Sequence, residues 1–254
     1  MRKIALITGS TSGIGKATAI KLSENGYNLI LCGRRAEKLD ELKNLLSKNG
    51  SVHTLIFDVR NKKDVENQLN SLSNEWKNID VLVNSAGNAH GISPINSGDI
   101  EDWDSMIDGN VKGLLYVSKA IIPQMVERKK GHIINLSSVA GKQTYPTGAV
   151  YCASKKAVEA ISEGMRLDLT EYGIKITNIA PGAVETEFSE VRFKGDKEKA
   201  KKVYEGYEPL LAEDIADLIF YTINAPERVT IADVVIYSKS QSAPTTIYKN
   251  KARA

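Results

Sequence analysis

Tyr151 and Lys155 lie four residues apart in a stretch of helical periodicity, so their side chains share one face with Cβ atoms about 6 Å apart. A phenol with an ordinary pKa near 10 is a poor base at neutral pH. An ammonium about 4 Å away, at an effective dielectric near 20, favours the phenolate by on the order of 4 kcal/mol. That is enough to bring the phenol toward working pH and make it a general acid or base. Ser138, thirteen residues before Tyr151, ends an apolar run and could hydrogen-bond a substrate oxygen. A Tyr-x-x-x-Lys pair also suits an ordinary helix surface, so its surroundings decide.

The second group of residues is Thr8-Gly9-Ser10-Thr11-Ser12-Gly13-Ile14-Gly15, directly after one apolar run and opening a helical pattern. Glycines there let a diphosphate approach the backbone, and the helix N-terminus offers free N–H groups and the positive end of its dipole. A P-loop is excluded, since Ser10 stands where its first glycine belongs and Ala17 where its Mg²⁺-binding hydroxyl belongs. A G-x-S-x-G nucleophile elbow is excluded by Thr11. A dinucleotide is the ligand this turn suits. The second apolar run ends in Gly33-Arg34-Arg35, with no acid before Glu37. A carboxylate at that place would take the ribose 2′-OH of NAD, whereas a guanidinium pairs with the 2′-phosphate of NADP. Arg34 and Arg35 would also suit a solvated strand end, but NADP is the expected cofactor.

These residues must be positioned by alternating short and long elements. Strands are predicted at 3–8, 27–32, 51–59, 79–84, 131–136, 174–180 and 230–236, several of them continuous in Ile, Leu and Val. Helices are predicted at 36–48, 61–76, 99–127, 149–172 and 213–224, with one apolar stripe each. The fold class is α/β: a doubly wound, Rossmann-type parallel sheet of seven strands with helices on both faces, in one domain over 1–254. Residues 188–209 are charged and read either as a solvated helix or as a mobile lid. The tail, 238–254, reads either as disordered or as packed on a neighbouring subunit.

The 254 residues carry 34 basic and 31 acidic side chains, a net +3 with no polyelectrolyte run, so no nucleic-acid partner is expected. No stretch approaches the 18 or so apolar residues of a membrane span, and the N-terminus holds only a short apolar run, so no membrane partner and a cytoplasmic location are expected. Cys32 and Cys152 are far apart, as in a reducing compartment. His53, His90 and His132 have no ligand spacing, so no metal is expected.

The glycine turn, Asn84-Ser85-Ala86-Gly87 after the fourth strand, Asn110, Ser138, Tyr151 and Lys155, with Pro181-Gly182 and Thr186 after the sixth strand, together resemble the short-chain dehydrogenase/reductase family, in order and spacing, from Lys3 to about Tyr237. The resemblance implies Tyr151 as acid/base, Lys155 on the nicotinamide ribose and lowering the phenol's pKa, Ser138 on the substrate oxygen, and Asn110 supporting a water that links Lys155 to solvent. It implies Asp58 and Val59 about the adenine, Asn84, Ala86 and Gly87 along the ribose and diphosphate, and Pro181, Gly182, Val184 and Thr186 on the nicotinamide side. Gly9, Ser10, Thr11, Ser12, Gly13, Ile14 and Gly15 would hold the diphosphate, and Arg34 and Arg35 the 2′-phosphate. Ser85 departs from the family's more frequent second asparagine. A homotetramer through the two long helices is also implied.

Residues 185–189, 191–196 and 225–241 look like the NADP-dependent branch acting on serine, L-allo-threonine and other 3-hydroxy acids, among them 3-hydroxypropionate, some members of which reduce small carbonyls including malonic semialdehyde. A small anionic substrate needs a cation, and Arg192 is the candidate, with Gln143 a second polar candidate. A reductase of 3-oxoacyl chains on a carrier protein shares the catalytic residues, but would want a basic docking surface. A dinucleotide-sensing protein without chemistry would share the fold but has no need of a tuned phenol.

Overall fold

The computed structural model describes residues 2–250. Strand β1 (Ile4–Thr8) leads into α1 (Gly13–Glu24), β2 (Asn28–Gly33), α2 (Ala36–Leu46), β3 (Val52–Ile56), α3 (Lys62–Asn70) and β4 (Ile79–Asn84). The chain continues through α4 (Ile100–Ile107), α5 (Gly113–Arg128), β5 (Gly131–Leu136), a short α6 (Val139–Lys142) and the long α7 (Ala149–Leu169) to β6 (Ile174–Pro181). After β7 (Val184–Glu185) come α8 (Phe188–Arg192), α9 (Lys197–Lys202), β8 (Leu210–Leu211), α10 (Ala212–Ile223) and β9 (Asp233–Ile236). A hairpin of β10 (Gln241–Ala243) and β11 (Thr246–Ile247) follows.

Seven strands form one sheet in the order β3-β2-β1-β4-β5-β6-β9, every pair parallel. Its strands are the seven read from the sequence, within a few residues at their ends. Parity along each strand divides the core. Ala5, Ile7, Leu29, Leu31, Val81 and Val83 face α1, α2 and α10, where Leu22, Leu39 and Ile219 meet them. Ile4, Leu6, Ile30, Leu82, Ile133 and Ile176 face α3, α5 and α7, where Val65, Val117, Ile121 and Leu169 meet them. Burial on both faces is why the middles of β1, β2 and β4 are continuous in Ala, Ile, Leu and Val. The order reverses between β1 and β4, and at such a point the carboxyl ends of neighbouring strands diverge and leave a crevice.

Three segments depart from the sequence reading. The helix expected over 99–127 is α4 and α5 joined by a π-helical turn, Asp108–Lys112. Residues 188–209 fold as two short helices, α8 and α9. The tail returns to the protein as the β10–β11 hairpin, where Gln241 is buried and its Oε1 accepts from the backbone N–H of Ala183 at 2.8 Å. Residues 251–254 of the expected tail lie outside the described residues. Among the described residues no helix is long and apolar enough to cross a membrane, and no group of three or more His, Cys, Asp or Glu could hold a metal ion.

Candidate active site

The crevice is a cavity of about 660 Å³ lined from the carboxyl ends of β1, β2, β4, β5 and β6, from α8 and from the β10–β11 hairpin. Its floor is the glycine turn. Gly9 has φ +65, and a Cβ there would stand 2.9 Å from Ala86 Cα, so the β1 and β4 ends can approach only with glycine. Thr8 Oγ1 fixes that approach by accepting from the N–H groups of Ser85 at 3.1 Å and Ala86 at 3.0 Å. Helix α1 opens at Ser12 with no side-chain cap and no acid in its first turn, which leaves its N–H groups for an anion.

At the rim beside β2 the side chains are charged and meet solvent. Arg35 donates to Thr11 Oγ1 through Nε at 3.1 Å and Nη2 at 2.9 Å, and to Glu187 through Nη1 at 2.8 Å. Lys38 donates to the other oxygen of Glu187 at 3.0 Å. Arg34 reaches Asp58 at 3.4 Å, and Arg60 holds the same carboxylate at 2.6 Å. Partial burial would raise the Asp58 carboxyl, but its bonds to Arg60 hold it below the usual range.

The opposite end is dry. Tyr151 is 8% exposed and Lys155 6%. Ser138 stands between them and the sheet as the cap of α6, its Oγ accepting from Ala140 N–H at 3.1 Å. Lys155 Nζ donates to the carbonyl of Leu136 at 2.9 Å. Burial pushes its ammonium down to about 8. Burial also pushes the Tyr151 phenol up to about 12, against lowering contributions from Arg192 and from a hydrogen bond to Ser138. The depression expected from Lys155 is not found: desolvation sets the direction, the lowering contributions come from Arg192 and Ser138, and the ammonium is hydrogen-bonded to a backbone carbonyl. Arg192 is the cation beside the phenol, its guanidinium 4.9 Å from the Tyr151 ring centroid and 5.7 Å from that of Phe188. Its Nη2 donates to Tyr145 Oη at 2.8 Å, and its Nε is buried with no hydrogen-bond partner.

The cavity gathers Gly9, Thr11, Ser12, Gly13, Ile14, Arg34, Arg35, Asp58, Val59, Ala86, Gly87, Ser138, Tyr151, Lys155, Pro181, Gly182, Val184, Thr186 and Arg192. Five expected residues take other places. Asn84 points to the opposite face of β4, donating to Asn135 Oδ1 at 2.9 Å and Ser118 Oγ at 3.0 Å. Strand parity explains it: Asn84 shares the face of Leu82, which packs on α5. The neighbouring Ser85 lines the cavity, so the family's second asparagine is not the one bonding across the sheet. Ser10 is buried and donates to Cys32 O at 3.1 Å. Gly15 lies beneath the turn, where a Cβ would stand 2.4 Å from Gly9 O. Asn110 sits in the π-turn behind Gly87, bonded to Asn88 on both backbone groups and to Ser154 Oγ at 3.0 Å. A Cβ on Gly87 would lie 3.0 Å from Asn110 Oδ1 and 3.3 Å from Lys155 Nζ, so this glycine lets the amide and the ammonium come close. Gln143 is exposed and outside the cavity, because Val139–Lys142 ends one residue earlier and turns it to solvent.

Tyr145 and Glu187 are functional candidates that the sequence reading missed. Tyr145 carries no motif of its own. Glu187 meets Arg35 only because the fold closes 152 residues of chain.

A family model for short chain dehydrogenase matches residues 3–197. The chain belongs to that family. It is 45% identical over 240 residues to an NADP-dependent 3-hydroxy acid dehydrogenase of Salmonella typhi, covering 94% of this chain and 96% of that one. It is 44% identical over 232 residues to sulfoacetaldehyde reductase 2 of Chromohalobacter salexigens, covering 91% and 92%. Among solved structures it is similar to a closed form of serine dehydrogenase complexed with NADP⁺, with a TM-score of 0.91, 43% identity and coverage of 94% and 96%. The doubly wound sheet of this chain is therefore the family's fold.

Proposed function

We propose that the protein is an NADP-dependent oxidoreductase acting on the CH–OH group of small 3-hydroxy acids, among them serine, L-allo-threonine and 3-hydroxypropionate. The residues fit NADP. The uncapped start of α1 and the glycine turn suit a diphosphate, and Arg35 with Lys38 already hold a carboxylate where a 2′-phosphate would go. Bound there, the nicotinamide would supply the hydride in reduction and take it up in oxidation.

The observation that carries the substrate class is Arg192. Among the described residues no carboxylate pairs with it, yet it lies against the Tyr151 and Phe188 rings with Nε unpartnered. A partly buried guanidinium without a counter-ion favours an anionic substrate group, carboxylate or sulfonate, placed beside the phenol. Tyr145 Oη holds the guanidinium in orientation.

Tyr151 is the acid and base. With its pKa raised by burial, the phenol is protonated across the physiological range and suited to give its proton to a carbonyl oxygen as the carbon is reduced. In oxidation the phenol first gives up its own proton, and the phenolate then takes the proton from the hydroxyl as the hydride leaves the carbon. Ser138 Oγ holds the substrate oxygen, and Lys155, near Asn110 across Gly87, returns the proton toward solvent. Residues 188–209 act as the lid that brings Arg192 over the site, within a single NADP-binding domain. The exposed Leu115 of α5 and Leu167 of α7 mark the faces on which a homotetramer would assemble.

The test is NADP⁺ reduction with L-serine, L-allo-threonine, 3-hydroxypropionate and 2-hydroxyethanesulfonate, for the wild type and Arg192→Ala. Turnover is expected, with KM raised about 10- to 100-fold in the variant and kcat changed far less. No turnover on any of the four anions, with activity on uncharged ketones or acyl thioesters instead, would discard the substrate class.

A further inference from the structure

Glu187 has no role in the chemistry above, yet both of its carboxylate oxygens are held by rim cations. It follows Thr186, which lines the cavity, and precedes α8, which ends in Arg192. Its two carboxylate oxygens are held separately, one by Arg35 Nη1 at 2.8 Å and one by Lys38 Nζ at 3.0 Å. Arg35 is itself fixed by two further bonds to Thr11 Oγ1, so its third donor points at Glu187 by construction. The carboxyl's slight burial would raise its pKa, but the bonds from Arg35 and Lys38 hold it below the usual range, so it is an anion at any working pH.

We propose that Glu187 is a specificity-determining residue: an oxyanion of the chain itself that stands in for the 2′-phosphate on Arg35 and Lys38 and is displaced when that phosphate binds. This rests on the NADP reading of the β2 end. A ligand with a 2′-phosphate must compete with Glu187 for the same donors, and the two negative charges repel if both stay. A ligand with a free 2′-hydroxyl leaves the carboxylate where it is. Glu187 therefore weakens NADP binding and leaves NAD binding unchanged, narrowing the discrimination that Arg35 creates. It also keeps two neighbouring cations neutralised when no phosphate is present.

Adenosine 2′,5′-bisphosphate and adenosine 5′-monophosphate isolate the effect from the reaction, with affinities measured by calorimetry. Glu187 is half-exposed and Glu187→Gln keeps its shape, so the variant folds as the wild type does. Partly exposed ion pairs are individually modest, so the bisphosphate is expected to bind roughly three- to tenfold more tightly to Glu187→Gln. The monophosphate should change by less than about twofold. An unchanged or weakened bisphosphate affinity would overturn the proposal, the second by making Glu187 a support for Arg35 rather than a competitor. Arg35→Ala separates the two readings. If it abolishes the bisphosphate's advantage while Glu187→Gln does nothing, only the competition is wrong. If the advantage survives Arg35→Ala, the phosphate lies elsewhere and both readings fall.

Discussion

Along the rim beside β2, Arg34, Arg35, Lys38, Arg60, Asp58 and Glu187 are paired charges in contact with water. At the inner end, Tyr151 and Lys155 are buried, and Arg192 lies against two rings with a buried Nε that bonds to nothing. Both ends hold cations suited to an anion, but the medium differs. On the rim, partners govern: Glu187 and Asp58 stay below the usual carboxylate range because cations are bonded to them. Inside, desolvation governs: the phenol rises to about 12 and the ammonium falls to about 8, each toward its neutral form. On the proposed function, the rim recognises a charge that stays charged and the inner end moves a proton.

Removing the proposed proton donor should give the largest effect. Tyr151→Phe deletes one oxygen and leaves the ring against Arg192 and Phe188, so kcat should fall by about a thousandfold or more, in line with general acid–base catalysis acting with substrate positioning. Affinity for adenosine 2′,5′-bisphosphate should change by less than about twofold, because its donors are on the rim. A comparable loss of both would mean that the two ends are not separate. A sensor without chemistry would show no loss of function at all in Tyr151→Phe.

Arg35→Ala is the matching cut on the rim. Loss of one charge-assisted contact to phosphate should raise KM for NADP⁺ about 10- to 50-fold while KM for NAD⁺ changes little. Steady-state kinetics with both cofactors measures it. An equal rise for both would show that Arg35 serves the turn through Thr11 rather than the phosphate.

What could be read from the sequence follows the same division. The seven strands were legible because burial on both faces leaves continuous apolar runs. Arg34 and Arg35 were legible because a strand end fixes where they stand. Strand parity, applied to Leu82 and Asn84, would also have turned Asn84 away from the cavity. Burial was not legible: the spacing of Tyr151 and Lys155 suggests a Coulomb attraction but says nothing of the desolvation that sets the phenol's direction. The π-turn at Asp108–Lys112 was missed although Asp108-Gly109 and Gly113 interrupt the apolar pattern there, because a glycine inside a helical stretch does not by itself say how the turn is wound. Glu187 and Tyr145 depend on contacts between distant segments, which no local pattern contains.

The buried ammonium makes a prediction about stability. Lys155 sheds its proton near pH 8 in the folded protein, whereas the unfolded chain keeps it to about 10.4. Between these values the unfolded state binds more protons, so this group makes stability rise with pH, by at most about 1.4 kcal/mol per pH unit. Above about pH 10 the raised phenol of Tyr151 works the other way, since the folded state then holds the extra proton. Urea unfolding at pH 8, 9 and 10 should show the rise in the wild type and lose it in Lys155→Met. Arg35→Ala should keep it, and a rise unaffected by Lys155→Met would assign it to another group.

Ionic strength should give the smallest effect and distinguishes the ends without mutation. At physiological salt, charges in contact with water are screened over about 8 Å, while buried pairs are screened much less. Between 0.05 and 0.5 M salt, binding of adenosine 2′,5′-bisphosphate should weaken by roughly three- to tenfold, whereas KM for the proposed hydroxy acid should rise by less than about twofold if Arg192 grips it against the two rings. Glu187 modifies the first figure, because salt weakens its hold on Arg35 and Lys38 along with that of the phosphate. Part of the loss cancels, so the salt dependence should be steeper in Glu187→Gln than in the wild type. Equal slopes in the two proteins would mean that the carboxylate does not compete for the site. Equal slopes for bisphosphate and hydroxy acid would mean that Arg192 meets its substrate in water, and the contrast between wet rim and dry interior would not extend to the substrate.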